Sequence, residues 1–125
     1  MNSTYDILLL GPAGPERERL EALLGELGHR VGAEARPPEA ARRYDLAVVD
    51  LRAFGATEPG PELGALDPAL PLLAVASEPG PALRALRGRL SMVLTGAERP
   101  SGYQVALAVC AALGRRRVPA GSLVA

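Results

Sequence analysis

The chain contains no lysine: all 14 of its basic side chains are arginines. A Schiff-base lysine, a phosphate-loop lysine and a lysine ion-pair switch are therefore excluded. Cysteine is almost as scarce. Cys110 alone cannot close an internal disulfide, and no cluster of Cys and His is present to hold zinc. Tryptophan is missing, and three Tyr and one Phe are the only aromatics, so the core has to be built mostly from Leu, Val and Ala. No apolar run approaches the roughly 20 residues of a membrane span, and none is expected. Net charge is also missing, because 14 acidic residues balance the arginines. A neutral surface offers no field to gather nucleic acid, so no nucleic-acid partner is expected. The opening stretch Met1 to Asp6 lacks the basic segment of a secretory signal, which makes a cytoplasmic location the expectation.

What is present suits one α/β domain. At 125 residues and 48% hydrophobic, the chain is long enough for a single substantial core. Ile7 to Leu10 is a fully apolar run stopped by Gly11-Pro12, the pattern of a strand covered on both faces. Pro15 then opens a helix with Leu20, Leu23, Leu24 and Leu27 along one side, Glu16 and Glu18 in its first turn and Gly28 as its stop. Arg30 to Ala35 reads as a weakly patterned strand. Leu46 to Val49 is a buried strand that delivers Asp50 to its carboxyl end, Leu72 to Ala76 is a third apolar run ending at Ser77, and Leu90 to Leu94 is the last strand. Short helical pieces are expected near 39–43, 62–66 and 81–87. Ser101 and Gln104 have the form of a capping box opening a last helix, whose inner face is Val105, Val109, Ala112 and Leu113.

Strands alternating with helices five times predict a three-layer α/β sandwich, a five-stranded parallel sheet with helices on both faces. Residues 1–117 form this domain, and 118–125 read as a tail or linker stub. In such sheets function gathers at the carboxyl ends of the strands, which directs attention to Gly11 to Gly14, Asp50, Ser77 and Thr95 to Arg99.

Asp50 and Ser77 each follow a buried strand directly, and Arg99-Pro100 lies beyond the fifth strand. In this order and spacing the chain resembles the receiver domains of two-component response regulators, the CheY-like fold, over about residues 5 to 117. The resemblance implies that Asp50 stands at the phosphoacceptor position and that Ser77 and Arg99 stand at positions contacting the phosphoryl group. Arg99 falls where the family carries a lysine, with Thr95 the alternative if the strand is shorter.

The sequence departs from the family pattern at the acidic pair after the first strand, where Gly11 and Pro12 stand instead. Neither side chain can ligate magnesium, which is held by carboxylates. Phosphoryl transfer to an aspartate relies on a cation to neutralise the reacting oxygens. The expectation is therefore a divergent pseudo-receiver: no cofactor, weak or absent magnesium binding, no catalytic residue of its own, and action through protein–protein contact. The resemblance also implies a protein partner or output domain, or a homodimer through the last strand and helix.

Plainer readings stand beside these. Asp50 can equally cap the segment after its strand or pair with Arg52 or Arg99. Ser77 can be a turn residue before Glu78-Pro79. Gly11 to Gly14 reads as a strand-to-helix turn, although a flavodoxin-like domain binding a nucleotide or small anion there is the alternative function. His29, just past a helix end, reads as a cation on the helix dipole. Cys110 reads as a small packed residue, and Arg115 to Arg117 as a solvated helix end.

Overall fold

The computed structural model describes residues 4–34, 44–53, 69–76, 90–95 and 100–117, of which residue 53 and residues 115–117 are described by their backbone alone. Within them lie strands β1 (Asp6–Leu10), β2 (Arg30–Glu34), β3 (Leu46–Asp50), β4 (Leu72–Val75) and β5 (Leu90–Leu94), with helices α1 (Pro15–Glu26) and α2 (Gly102–Arg117). All pairings are parallel, and the strand order is β2-β1-β3-β4-β5. The chain thus starts at β1 and moves outward in both directions, which sets the carboxyl ends of β1 and β3 side by side. The expected helical pieces near 39–43, 62–66 and 81–87, and the tail 118–125, lie outside the described residues.

Every residue of β3 and β4 is buried, as are Ile7 to Leu10 of β1. Side chains alternate between two cores, as the period of a strand demands. Ile7, Leu9, Leu46, Val48, Leu73 and Val75 face α1 and α2, where they meet Leu20, Leu24, Val105, Ala108, Val109, Ala112 and Leu113. Leu8, Leu10, Ala47, Val49, Leu72 and Ala74 form the second cluster, on the other face. Both faces of the central strands are therefore covered, which is why these segments read as unbroken apolar runs.

Local chemistry fixes both helices. In α1, Pro15 occupies the first turn with Glu16 and Glu18. The helix ends in a Schellman arrangement: the amide of Gly28 donates to the Gly25 carbonyl at 3.0 Å and that of His29 to the Leu24 carbonyl at 3.2 Å. Gly28 has φ of 94°, a left-handed conformation that favours glycine. At the start of α2 the capping box is complete, with Gln104 N donating to Ser101 Oγ at 3.2 Å and Ser101 N donating to Gln104 Oε1 at 2.9 Å. The helix runs past Gly114 through Arg117. Arg19 of α1 donates to the Pro100 carbonyl at 2.8 Å and so ties the first helix to the entrance of the last.

Two expectations need correction. Cys110 is exposed, not packed. It lies one residue beyond buried Val109, about 100° around the helix, and shares the outer face with Tyr103 and Leu107. His29 is not a dipole-bound cation either. The Tyr5 amide donates to its Nδ1 at 3.3 Å, so that nitrogen must carry a free lone pair. Burial lowers the His29 pKa in the same sense.

Candidate site at the carboxyl edge of the sheet

Asp50 closes β3 and is the buried charged residue of the described core, at 0% exposure. A carboxylate removed from water must be paired and hydrogen-bonded to remain ionised. The pairing comes from two residues further on. After Asp50 the chain turns through a short 3-10 segment, Leu51–Ala53, and this turn brings Arg52 back over the strand end. Arg52 Nε donates to Asp50 Oδ1 at 2.8 Å and Nη2 donates to Oδ2 at 3.0 Å. The Arg52 amide adds a third bond to Oδ1 at 3.1 Å. The planar fork of the guanidinium thus matches both carboxylate oxygens, the strongest form of this pairing.

Arg52 is itself nearly enclosed, its side chain 9% exposed, and Nη2 also lies 3.5 Å from Glu16 Oε2 in the first turn of α1. The hydrogen bond to Asp50 raises the Arg52 pKa first of all. Desolvation opposes this, and the charges of Asp50 and Glu16 reinforce it. The site is therefore a cation held between a buried and a half-exposed carboxylate.

Beside Asp50, the end of β1 supplies no side chain. A Cβ placed on Gly11 would sit 3.5 Å from Asp50 Cβ, so the two strand ends are in direct contact. The Gly11 carbonyl accepts from Arg17 Nη1 at 3.2 Å, and its amide donates to Glu34 O at 3.0 Å. Pro12 and Ala13 are exposed on the lip of the site. Among the described residues there is no group of three or more His, Cys, Asp or Glu side chains able to hold a metal. Gly11 to Gly14 form a strand-to-helix turn leading into acidic Glu16 and Glu18.

The structure brings Asp50, Gly11 and Pro12 to one edge, where the sequence reading put them. Ser77 and Arg99 lie outside the described residues. Their neighbours are in place: the Ala76 amide donates to the Leu94 carbonyl at 3.0 Å, and exposed Thr95 directly follows β5. Glu16 was missed by sequence reasoning, which read it as a dipole-complementing acid. The only sequence signal for its second role was its position in the turn after β1. Arg52 entered as one of two candidate partners of Asp50, and the geometry selects it among the described residues.

Comparison with solved structures decides what this architecture is. The receiver domain of the sensor histidine kinase PA1611 from Pseudomonas aeruginosa PAO1 superposes with a TM-score of 0.70 over 90% of this chain and 99% of that one, at 21% identity. The chain has the receiver fold. A response regulator receiver domain protein from Clostridium thermocellum gives a TM-score of 0.69 at 14% identity, over 89% of this chain and 95% of that one. NtrX from Brucella abortus in complex with ADP gives 0.75 at 18% identity, with 91% of this chain matching 28% of that one. No protein-family model matches the sequence, and no curated protein matches it. The PA1611 receiver domain was solved with a magnesium ion coordinated in its active-site cleft. In the present receiver fold, the carboxyl edge of β3 carries the Asp50–Arg52 pair.

Proposed function

We propose that this chain is an atypical receiver-type signalling module that acts through protein–protein contact, without magnesium-dependent phosphorylation of Asp50 and without enzymatic activity of its own. The observation that carries this reading is the fork of Arg52 across both oxygens of Asp50, 2.8 and 3.0 Å away. To accept a phosphoryl group, a carboxylate oxygen must present a lone pair in line with the phosphorus, beside a cation that neutralises the transferred oxygens. Here the lone pairs are engaged by a guanidinium, and moving it aside would leave a fully buried charge unpaired.

Magnesium does not fit the donor set. It takes oxygen ligands in octahedral geometry, commonly one or two carboxylates. Among the described residues the carboxylates at this edge, Asp50 and Glu16, both lie against Arg52, and Gly11-Pro12 adds no side-chain oxygen.

The contact surface we assign is the outer face of α2 beside β5. Tyr103 is 72% exposed and Leu107 53% exposed, one turn apart, and residues 101–114 include no charged side chain. Depletion of charge around exposed aromatic and aliphatic groups is characteristic of the centre of a protein interface. That neighbours of the same fold include a receiver domain of a sensor histidine kinase supports a protein partner.

The test is incubation with magnesium and acetyl phosphate, and separately with beryllium fluoride, followed by intact mass and amide NMR spectra. An unchanged mass and spectrum are expected. Stoichiometric modification of Asp50 would overturn the reading.

A further inference from the structure

We infer that the guanidinium of Arg52 is the permanent cation of this site, seated between Asp50 and Glu16, and that this one side chain is what closes the pair of carboxylates to divalent metal. The inference rests on the reading of the site as metal-free and goes further, because it names the residue responsible. The missing acidic pair at Gly11-Pro12 is not the whole reason.

Three observations lead there. Asp50 is fully buried and its bonds from the Arg52 side chain run to both oxygens, so the positive charge lies over the carboxylate rather than at its rim. Arg52 is 9% exposed and reaches Glu16 Oε2 at 3.5 Å, which places the same cation against a second carboxylate from a different element. The Arg52 amide also bonds Asp50 Oδ1 at 3.1 Å, so the 3-10 turn holds the side chain's root close to its target. Two carboxylate oxygen donors converging on one enclosed cation are the arrangement that hard divalent ions use. The occupant here is a planar monocation that cannot be deprotonated at ordinary pH and cannot dissociate from the chain.

Removing the guanidinium therefore takes away the cation that both carboxylates face. Substituting Arg52→Ala does this, whereas Arg52→Lys keeps a positive charge without the fork. The experiment is thermal unfolding of the wild-type chain, R52A, R52K and the double variant D50N/R52A, each in a chelator and in manganese(II) or magnesium(II) chloride. The wild-type and R52K midpoints are expected to be the same in chelator and in metal. The R52A midpoint is expected to rise by about 5 °C once the cation is present at about ten times its Kd. D50N/R52A is expected to lose that rise.

Should R52A be unfolded in chelator, folding on addition of manganese(II) supports the inference, and failure to fold overturns it. A folded R52A with no midpoint shift also overturns it, and so does a shift retained in D50N/R52A, because the ion would then sit elsewhere. A wild-type chain stabilised by magnesium would remove the metal-free reading itself. A wild-type chain inert to magnesium and acetyl phosphate, with an R52A that ignores metal, sinks this inference alone.

Discussion

Arg52 lies two residues beyond Asp50 and folds back so that its Nε and Nη2 meet the two carboxylate oxygens at 2.8 and 3.0 Å. A pair so close in sequence forms because the strand ends in a 3-10 turn rather than continuing extended. In an extended chain, residues two apart point the same way at a separation of about 7 Å, and the guanidinium would run alongside the carboxylate rather than cap it. The turn converts a sequence neighbour into a lid. The carboxylate at this sheet edge is thus paired from within its own turn.

The first expectation concerns stability. Breaking a buried ion pair by removing one partner costs about 3–5 kcal/mol, while replacing both by apolar groups is often close to neutral. Arg52→Met should therefore lower the free energy of unfolding by about 3 kcal/mol, because Asp50 at 0% exposure loses the fork that satisfies both of its oxygens. The double variant D50V/R52M should recover most of that loss. Urea unfolding of the singles and the double measures the coupling, and additive losses would show that the pair is not energetically linked.

A second expectation follows from His29, whose pKa burial lowers below its ordinary value of 6.5. The folded chain then binds fewer protons at this site than the unfolded chain. Its contribution to stability is present above the unfolded pKa and is lost as pH falls through the lowered folded pKa. Protonation at Nδ1 would also set two N–H groups face to face, since the Tyr5 amide already donates there. The urea midpoint should fall between pH 7 and pH 5, and His29→Gln should flatten that part of the profile. An unchanged slope in the variant would assign the acid sensitivity to other groups.

The third expectation lies at the open end of the sheet. A Cβ on Gly32 of β2 would meet Tyr44 Oη at 2.6 Å and the ring carbons Cε1 and Cζ at 3.3 and 3.4 Å. The ring is stiff, so Gly32→Ala forces it or the edge strand to shift, an overpacking penalty of about 1–3 kcal/mol. In a Tyr44→Phe background the nearest atom is gone, and the penalty of Gly32→Ala should shrink. Equal penalties in both backgrounds would mean that Tyr44 moves freely out of the way.

How much of this was legible in the sequence depended on the range of the interaction. Ile7 to Leu10, Leu46 to Val49 and Leu72 to Val75 announced their strands because burial on both faces leaves no polar residue in the run. The capping box at Ser101 and Gln104 was readable because both of its bonds are local. Asp50 could be placed at the sheet edge by its position after an apolar run. Its partner could not be chosen, because Arg52 and Arg99 are equally arginine on paper and only the backbone turn separates them. Glu16 reaches Arg52 through the packing of α1 on the sheet, a contact with no signature in a linear pattern. Cys110 and His29 were misread for a related reason: helix phase one residue past Val109 and a backbone donor from Tyr5 are tertiary facts.

The last expectation concerns the outer face of α2. Tyr103 and Leu107 are exposed and make no part of either core cluster, so Tyr103→Ser and Leu107→Ser should change the free energy of unfolding by no more than about 0.5 kcal/mol. If this face is the contact surface, the same substitutions should weaken association with a partner protein or a second copy, because truncating an aromatic anchor at an interface centre commonly costs about 2 kcal/mol or more. Cys110 on the same face gives an independent reading. As the only cysteine, and an exposed one, it should be alkylated by a maleimide in the native chain nearly as fast as in urea. Association through α2 should slow that reaction in the wild-type chain and leave it fast in Y103S/L107S. Sedimentation or size-exclusion measurements across a concentration series, run beside the alkylation rates, decide whether the occupant is a second copy. Association with alkylation undiminished would move the contact surface off this helix.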